Sequence, residues 1–202
     1  MLDALTRLPG VRLPLDAYLA DFDRRFPRLH GEDTWKLERL QEFHQPENAS
    51  WMRYLSGGGE EALRMLENDR AHLRELFSDL ARRRSRVLRL RVVDGPPTPY
   101  LYWELHSLYI RAQCGEHIRV VGSGALAHLE RDGVLPEVLT LGASVTYRIL
   151  YNENGVLAGG VLHTDSELTA RCRDQIAALY ADAEPLTEYF PREIAPLEAP
   201  RV

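Results

Sequence analysis

The sequence predicts one α/β domain built on a mixed sheet of about five strands, with a βαβ unit, a β-hairpin and long flanking helices. Two β-rich segments enclose a helical segment with short loops between them, which is typical of parallel strands joined by a crossover helix. Three more β-rich segments follow, and an Asn-Gly pair separates two of them. We expect an N-terminal arm at 1–34, the α/β domain at 35–190 and a proline-rich tail at 191–202.

The first third of the chain predicts mainly helices. One helix is expected near Leu15–Arg25, within an irregular arm that three prolines interrupt. The segment 35–43 is compatible with a short strand or a helical turn. Ser50 is expected to cap a brief helix that ends at the glycine run 57–59. Leucines at helical spacing from 60 to about 83 predict one long amphipathic helix.

The middle of the chain predicts the βαβ unit. Segment 86–93 is β-rich and ends at an Asp-Gly-Pro-Pro run. Thr98 is a good N-cap before a proline, and Gly115 suits the position after a helix, so a helix is expected over 99–114. A short strand at 117–121 then completes the unit.

The last third predicts a hairpin and a closing helix. A short helix near 125–131 is followed by expected strands at 137–141, 144–151 and 156–163. Thr164 and Glu167 have the spacing of a capping box for a helix over 165–183. The proline-rich end of the chain, 184–202, is expected to wrap the surface.

Charge and composition exclude several classes of protein. The net charge of −5 argues against bulk attraction to nucleic acid or to an anionic membrane. The longest stretch without a charged residue, 154–164, is far shorter than the roughly 20 residues of a membrane-spanning helix. Asp3 and Arg7 interrupt the apolar start, which argues against a secretory signal. The two cysteines are widely spaced and predict free thiols. We therefore expect a cytoplasmic protein.

Motifs for known chemistries are incomplete. Gly122, Gly124 and Ala127 match G-x-G-x-x-A, but the following helix is short and no acidic residue ends the next strand, so a glycine turn is favoured over a nucleotide site. His30 and Glu32 lack the P-C-x-x-C partner of the deaminases. The histidine and cysteine spacings do not match a zinc site. We expect no catalytic residue, no cofactor and no metal.

Arginines on the two predicted parallel strands form the most informative cluster. Alternation places Arg89 and Arg91 on one face of the first strand, and Arg119 on the second. If the strands are neighbours, the three side chains are expected to converge. Such arginines either pair with carboxylates or bind an anion, and pairing is favoured because buried arginines are mostly paired. The internal carboxylates available for pairing are Glu38, Glu42, Glu104 and Glu116.

The helix 99–114 carries an excess of aromatic rings, namely Tyr100, Tyr102, Trp103 and Tyr109. The rings line a groove or partner surface, or the helix is packed on two sides; the pattern does not separate these interpretations. The candidate ligand-binding residues are Arg89, Arg91, Tyr100, Trp103, Glu104 and Arg119.

Several blocks together resemble a family of uncharacterised actinobacterial proteins, classed as a domain of unknown function. The resemblance covers about 35–200 and runs through WKLERLQEFHQPENASWMRYLSGG, EEALRMLENDR, RVLRLRVVDGPPTPYLYWELHSLYIRAQCGEHIRVV, LPEVLTLG, YNENGVLAGGVLHTD and LYADAEPLTEYFPREIAPL. This chain departs from the family at Gln113, where members usually carry Glu. Members are often encoded near helix-turn-helix regulators, which implies such a regulator as a protein partner.

The order of elements is also similar to one half of a phospholipase D-like domain. That active site needs H-x-K-x-x-x-x-D, yet Lys36 is the sole lysine and Thr34 stands two residues before it. The likeness therefore implies a scaffold without that activity. We expect a non-catalytic binding or regulatory module. The alternative is an enzyme or sensor for a small anionic or phosphorylated ligand, bound beyond the carboxyl ends of the parallel strands.

Overall fold

A single mixed sheet organises the computed structural model, which describes residues 1–200. Numbered along the chain, its strands are β1 (Val11–Pro14), β2 (Thr34–Glu38), β3 (Val87–Val93), β4 (His117–Gly122), β5 (Val138–Leu141), β6 (Val145–Tyr151), β7 (Leu157–His163) and β8 (Glu184–Pro185). The spatial order is β1-β7-β6-β5-β2-β3-β4-β8. The α/β class is confirmed, with eight strands in place of about five.

Seven α-helices cover the two faces of the sheet within the described residues. They are α1 (Leu15–Arg25), α2 (Ala49–Leu55), α3 (Gly59–Asn68), α4 (Arg70–Arg82), α5 (Pro99–Cys114), α6 (Ser166–Ala181) and α7 (Leu186–Glu193). Helices α2 to α5 and α7 share one apolar core with β3 and β4. Helix α6 packs in a second core on the opposite face, and α1 lies in a third with β5 and β6.

The predicted βαβ unit is confirmed. Strands β2, β3 and β4 are parallel neighbours, and the remaining neighbouring pairs are antiparallel. Thr98 caps α5 by accepting a hydrogen bond from the Leu101 amide at 3.2 Å. Gly115 ends the helix with φ of 119°, a conformation in which a side chain would be strained. These two local signals fix where α5 begins and ends.

The single long helix expected over 60–83 is wrong, because the chain forms α3 and α4 with a break at Asp69. Asn68 and Asp69 are poor helix formers whose side chains compete for backbone hydrogen bonds. The helix expected near 125–131 is only a 3₁₀ turn over Ser123–Leu126. Glycines flank that segment and favour a turn over a continuous helix.

Two predicted N-caps are displaced to neighbouring residues. Asn48, rather than Ser50, caps α2 by accepting from the Trp51 amide at 3.1 Å. Asp165, rather than Thr164, caps α6 by accepting from two backbone amides of its first turn. Asn and Asp are at least as effective as Ser and Thr in this role, so a nearby competitor moves the helix start by a residue or two.

Both ends of the chain contribute to the sheet. Within the segment predicted as an arm, β1 pairs with β7 and α1 occupies its expected bounds. Segment 35–43, which had two interpretations, contributes the strand β2 and then a loop. The C-terminal segment that was expected to wrap the surface instead forms β8, which pairs with β4, and α7, which packs on α5.

No helix among residues 1–200 combines the length and apolar character that crossing a bilayer requires.

We expect Gly159→Ala to destabilise the fold by about 2 kcal/mol or more, because strain and steric overlap coincide there. Gly159 has φ of 132°, and an added Cβ would overlap the carbonyl oxygen of Leu13 on β1. Urea unfolding measures the change in free energy. Gly122→Ala is the control, since its Cβ would meet no atom within 4 Å. Equal stabilities of the two variants would contradict the close approach of β1 and β7.

Candidate functional site

Charged residues alternate along the face of β2 and β3 that α5 covers. The parallel register pairs Lys36 with Arg89 and Glu38 with Arg91. Paired residues of neighbouring strands point to the same face, so the four side chains form one patch. Most of this patch is buried, and each charge therefore needs a partner.

Arg89 lies at the centre of a chain of ion pairs. Its NH1 is 2.6 Å from Glu38 Oε1 and its Nε is 2.7 Å from Glu116 Oε1. The Lys36 ammonium lies 2.5 Å from the same Glu38 oxygen. Arg111 Nε donates to the other oxygen of Glu116 at 2.5 Å. Positive and negative groups thus alternate, which offsets the cost of removing them from water.

Arg91 is fully buried and its donors face protein acceptors. Its Nε and NH2 lie 2.8 and 2.7 Å from Glu104 Oε2 on α5. Its NH1 donates to the Leu40 and Val92 carbonyl oxygens at 2.6 and 3.0 Å. The ion-pair interpretation is confirmed for both arginines of β3. Three of the four carboxylates predicted as partners are used, whereas Glu42 is exposed.

The expected convergence of Arg119 with the other two arginines is wrong. Arg119 pairs in register with Leu90 and therefore lies on the opposite face of the sheet. Its NH1 donates to three backbone carbonyls at the end of α6, at 2.9 to 3.2 Å. Its guanidinium lies 4.9 Å from the ring centroid of Tyr180. Arg119 therefore holds the C-terminal end of α6, where a cation is favourable.

Three buried carboxyl groups near Arg91 have shifted pKa values, and the shifts differ in direction. Burial opposes the charge of Glu38, but the cations Arg89 and Lys36 outweigh it and hold its pKa below the ordinary value. Burial dominates at Glu104 and raises its pKa despite Arg91. Burial and the nearby charge of Glu38 raise the pKa of Glu137 to about 7. Glu137 is held by the Arg39 and Leu40 amides, which donate to its Oε1 at 2.5 and 2.7 Å.

A cavity of about 230 Å³ lies beside this network at the carboxyl end of β2. Its lining includes Lys36, Glu38, Glu47, Tyr100, Glu104 and Tyr151. The Tyr100 hydroxyl donates to Glu104 Oε1 at 3.1 Å and accepts from the side-chain Nε2 of Gln45 at 2.5 Å. A second cavity of about 450 Å³ shares Phe43, His44 and Tyr100 with the first. The two cavities therefore form adjoining compartments on either side of these residues.

Aromatic rings border both compartments. Phe43 packs against Tyr100 and Tyr151, with ring centroids 5.5 and 4.9 Å apart. Trp51 meets Tyr100 edge-on at 5.1 Å. Trp103, in contrast, is 2% exposed and donates to Ser50 Oγ inside the core. Both interpretations of the aromatic helix therefore apply, each to different rings of α5.

The predicted site residues take three different places. Tyr100 and Glu104 line the cavity. Arg89 and Arg91 lie in the network that holds its carboxylates. Arg119 and Trp103 lie elsewhere, on the opposite face of the sheet and in the core.

Sequence reasoning missed Phe43, Tyr151 and Glu137. Phe43 follows a strand that the sequence left ambiguous, and Tyr151 lies three strands from β3 in the sheet. For Tyr151 and Glu137, the sequence offers only the alternation of side chains along their own segments. Alternation tells which residues share a face of one strand, but the order of the strands is needed to tell which strands are neighbours.

The segment 122–124 at the end of β4 forms the glycine turn that the sequence favours. Ser123 Oγ donates to Asp94 at 2.5 Å and ties the turn to the loop after β3. Within residues 1–200, no three His, Cys, Asp or Glu side chains come together in an arrangement suited to a metal ion.

Comparison with known proteins identifies a family without assigning an activity. Residues 20–191 match the family model described as "Domain of unknown function (DUF6879)". The comparison with curated proteins gave no match. The match includes β2 to β8, and therefore both cavities and the ion pairs beside them.

We expect Arg91→Ala to lower the free energy of unfolding by about 3–5 kcal/mol, because it leaves Glu104 buried without its cation. Urea unfolding of the free protein measures the loss. Arg84→Ala, at an exposed position after α4, is the control and should change stability by less than about 0.5 kcal/mol. The double change Arg91→Met with Glu104→Leu should recover most of the loss. Similar effects of Arg91→Ala and Arg84→Ala would contradict the buried pair.

We expect Glu137 to contribute a loss of stability as pH rises from about 4.5 to about 7. His106 and His163, whose pKa values are lowered by burial, contribute a gain in the upper part of that range. The pKa of the Glu137 carboxyl is raised from 4.5 to about 7 in the fold, so the folded state keeps a proton that the unfolded state releases. The loss is of the order of a few kcal/mol, because each pKa unit of difference between the two states corresponds to about 1.4 kcal/mol. Above pH 7 this contribution is constant.

Glu137→Gln should remove that loss, because the amide is neutral at every pH. Unfolding in urea at several pH values between 5 and 8 gives the two profiles. Glu75→Gln on the exposed side of α4 is the matched control and should keep the slope of the unmodified chain. Parallel profiles for Glu137→Gln and the unmodified chain would show that Glu137 does not titrate in this range.

Proposed function

The chain belongs to the family that it matches, a domain of unknown function, and from this premise we propose that it is a non-catalytic binding or regulatory module. Its ligand site is the cavity at the carboxyl end of β2. The proposal extends to a cytoplasmic location and to a helix-turn-helix regulator as the protein partner.

Glu38 is the observation that carries the ligand site. This side chain lines the cavity, although the residue is only 5% exposed. Lys36 and Arg89 both bind its Oε1, whereas its Oε2 has no hydrogen-bond partner among residues 1–200. A buried carboxylate oxygen without a partner is costly. Eleven buried side-chain atoms among residues 1–200 lack a partner, and Glu38 Oε2 is the one whose residue lines this cavity. A ligand that brings a hydrogen-bond donor would reduce that cost.

The state of Glu104 supports binding over catalysis. Its raised pKa suits a general acid, but one oxygen faces Arg91 and the other accepts from Tyr100. A proton-transfer group needs an oxygen that reaches the substrate. Both cysteines are buried, and neither lines the cavity. These features favour a site that holds a ligand without transforming it.

The alternative of a small anionic ligand has less support. Arg89 and Arg91 already face carboxylates, and Arg119 lies on the opposite face of the sheet. An anion at this site would have to displace an internal carboxylate from a buried arginine. That exchange leaves the displaced carboxylate without a partner and is unfavourable.

A regulator as partner agrees with the charge of the chain. The net charge of −5 disfavours direct contact with DNA, so a DNA-linked role would act through a second protein. Co-purification from native lysate tests this part of the proposal. Failure of any neighbouring helix-turn-helix regulator to form a stable complex with the full chain would contradict it.

We expect a thermal-shift screen of the full chain against amines, amino acids, nucleotides, phosphosugars and lipid headgroups to identify at least one stabilising class. A ligand present at 100 times its dissociation constant adds about 2.7 kcal/mol to stability. Phe43→Ala should abolish that stabilisation, because Phe43 belongs to both compartments.

Glu75→Gln is the control for the screen and should retain the full shift. A screen without stabilising compounds would contradict the ligand site. A shift that survives unchanged in folded Phe43→Ala would also contradict it, because the compound would then bind elsewhere.

A further inference from the structure

We infer that the cavity beside Glu38 takes an organic cation, an amine or guanidinium group on an apolar body. This inference rests on the proposed ligand site and names the chemistry of its ligand. The same chemistry is carried by free small amines and by lysine or arginine side chains of a peptide.

The charges around the cavity favour a cation. Its lining holds three carboxylates, Glu38, Glu47 and Glu104, and one ammonium group, Lys36. The adjoining compartment adds Glu42, with no lysine or arginine among its lining residues. Arg89 and Arg91 offset the charges of Glu38 and Glu104 from behind. The carboxylates that remain are Glu47 in the cavity and Glu42 in the adjoining compartment, both exposed. These two attract a cation and repel an anion.

Lys36 does not reverse this preference. Its ammonium is 2.5 Å from Glu38 Oε1, so it is held at a carboxylate that it shares with Arg89. Oε2 of the same carboxylate has no hydrogen-bond partner among residues 1–200. The cavity thus combines an ion-paired ammonium group with an acidic side chain whose second oxygen has no hydrogen-bond partner.

The aromatic lining points to the same ligand class. The rings of Phe43, Tyr100 and Tyr151 border the cavity, and ring faces attract cations. Phe43 already shows this contact inside the protein, since the Arg91 guanidinium lies 5.9 Å from its ring centroid. Rings together with carboxylates are the combination that recognises ammonium and guanidinium groups in water-poor sites.

The sizes of the two compartments suggest how such a ligand is oriented. The acidic cavity of about 230 Å³ suits a compact head group. The adjoining compartment of about 450 Å³ is bordered by Trp51, Leu55 and Pro99, which suit an apolar body. The shared residues Phe43 and Tyr100 lie where head group and body would meet.

A matched series of ligands tests the inference on the full chain by isothermal titration calorimetry. The probes are 2-phenylethylamine, 2-phenylethanol and 3-phenylpropionate, which carry a positive, neutral and negative head on the same ring. We expect the amine to bind at least tenfold more tightly than the other two. N-acetyl-lysinamide and agmatine form a second arm, which separates a peptide side chain from a free amine as the source of the cation.

Two variants locate the bound amine. Glu47→Gln removes an exposed carboxylate that lines the cavity, and we expect three- to tenfold weaker binding of 2-phenylethylamine. Phe43→Leu keeps an apolar side chain but removes the ring, with a similar loss expected. Glu75→Gln should bind as the unmodified chain does. Should Phe43→Leu fail to fold, Glu47→Gln still decides the outcome, because that side chain is exposed.

The outcomes separate this inference from the proposed function. Equal or tighter binding of the alcohol or the acid at this site would overturn the cation preference and leave the ligand site standing. If Glu47→Gln and Phe43→Leu both bind the amine as tightly as the unmodified chain, the amine binds elsewhere and the inference is overturned. Failure of these probes together with an empty thermal-shift screen would overturn the ligand site as well.

Discussion

The burial of Arg91 against Glu104 is the constraint on which the arrangement of the sheet and α5 depends. Apolar contacts tolerate small shifts of a helix over a sheet, whereas a fully buried guanidinium needs its carboxylate in one place. The pair therefore fixes the rotation and axial position of α5 over β3. Arg89 adds the same requirement for β2, through Glu38, and for the segment that enters β4, through Glu116. Three elements are thus held in register by charge.

The same ion pairs give the cavity its rigidity. Glu38 and Glu104 line it, and each is held from behind by an arginine of β3. Side chains fixed by such supporting contacts lose little conformational entropy when a ligand binds. The loop after β2 is tied down as well, since the His44 amide donates to the Gly155 carbonyl at 2.9 Å. The lining of the cavity is therefore held largely in place by contacts within the protein.

Local signals account for what the sequence predicted correctly. Thr98 and Gly115 define α5 because capping and left-handed termination depend on a few adjacent residues. The partners of Arg89 and Arg91 were identified because few carboxylates belong to neighbouring elements. Arg119 was misplaced because alternation gives the faces within one strand, but not the register between strands.

The cavity could not be predicted from the sequence for a related reason. Phe43 and Tyr151 come together across the order of the sheet, and that order is set by long-range pairing. The two edge strands were missed because their four and two residues carry too little pattern. The break at Asp69 interrupts an apolar periodicity that otherwise continues through α3 and α4.

The shortness of the edge strands has a consequence for self-association. An exposed strand edge offers unpaired amides and carbonyls on which another chain can add a strand. Here β1 ends in Pro14 and β8 ends in Pro185, and proline has no amide hydrogen to donate. With so few pairing groups at either border, the sheet is protected against edge-to-edge aggregation.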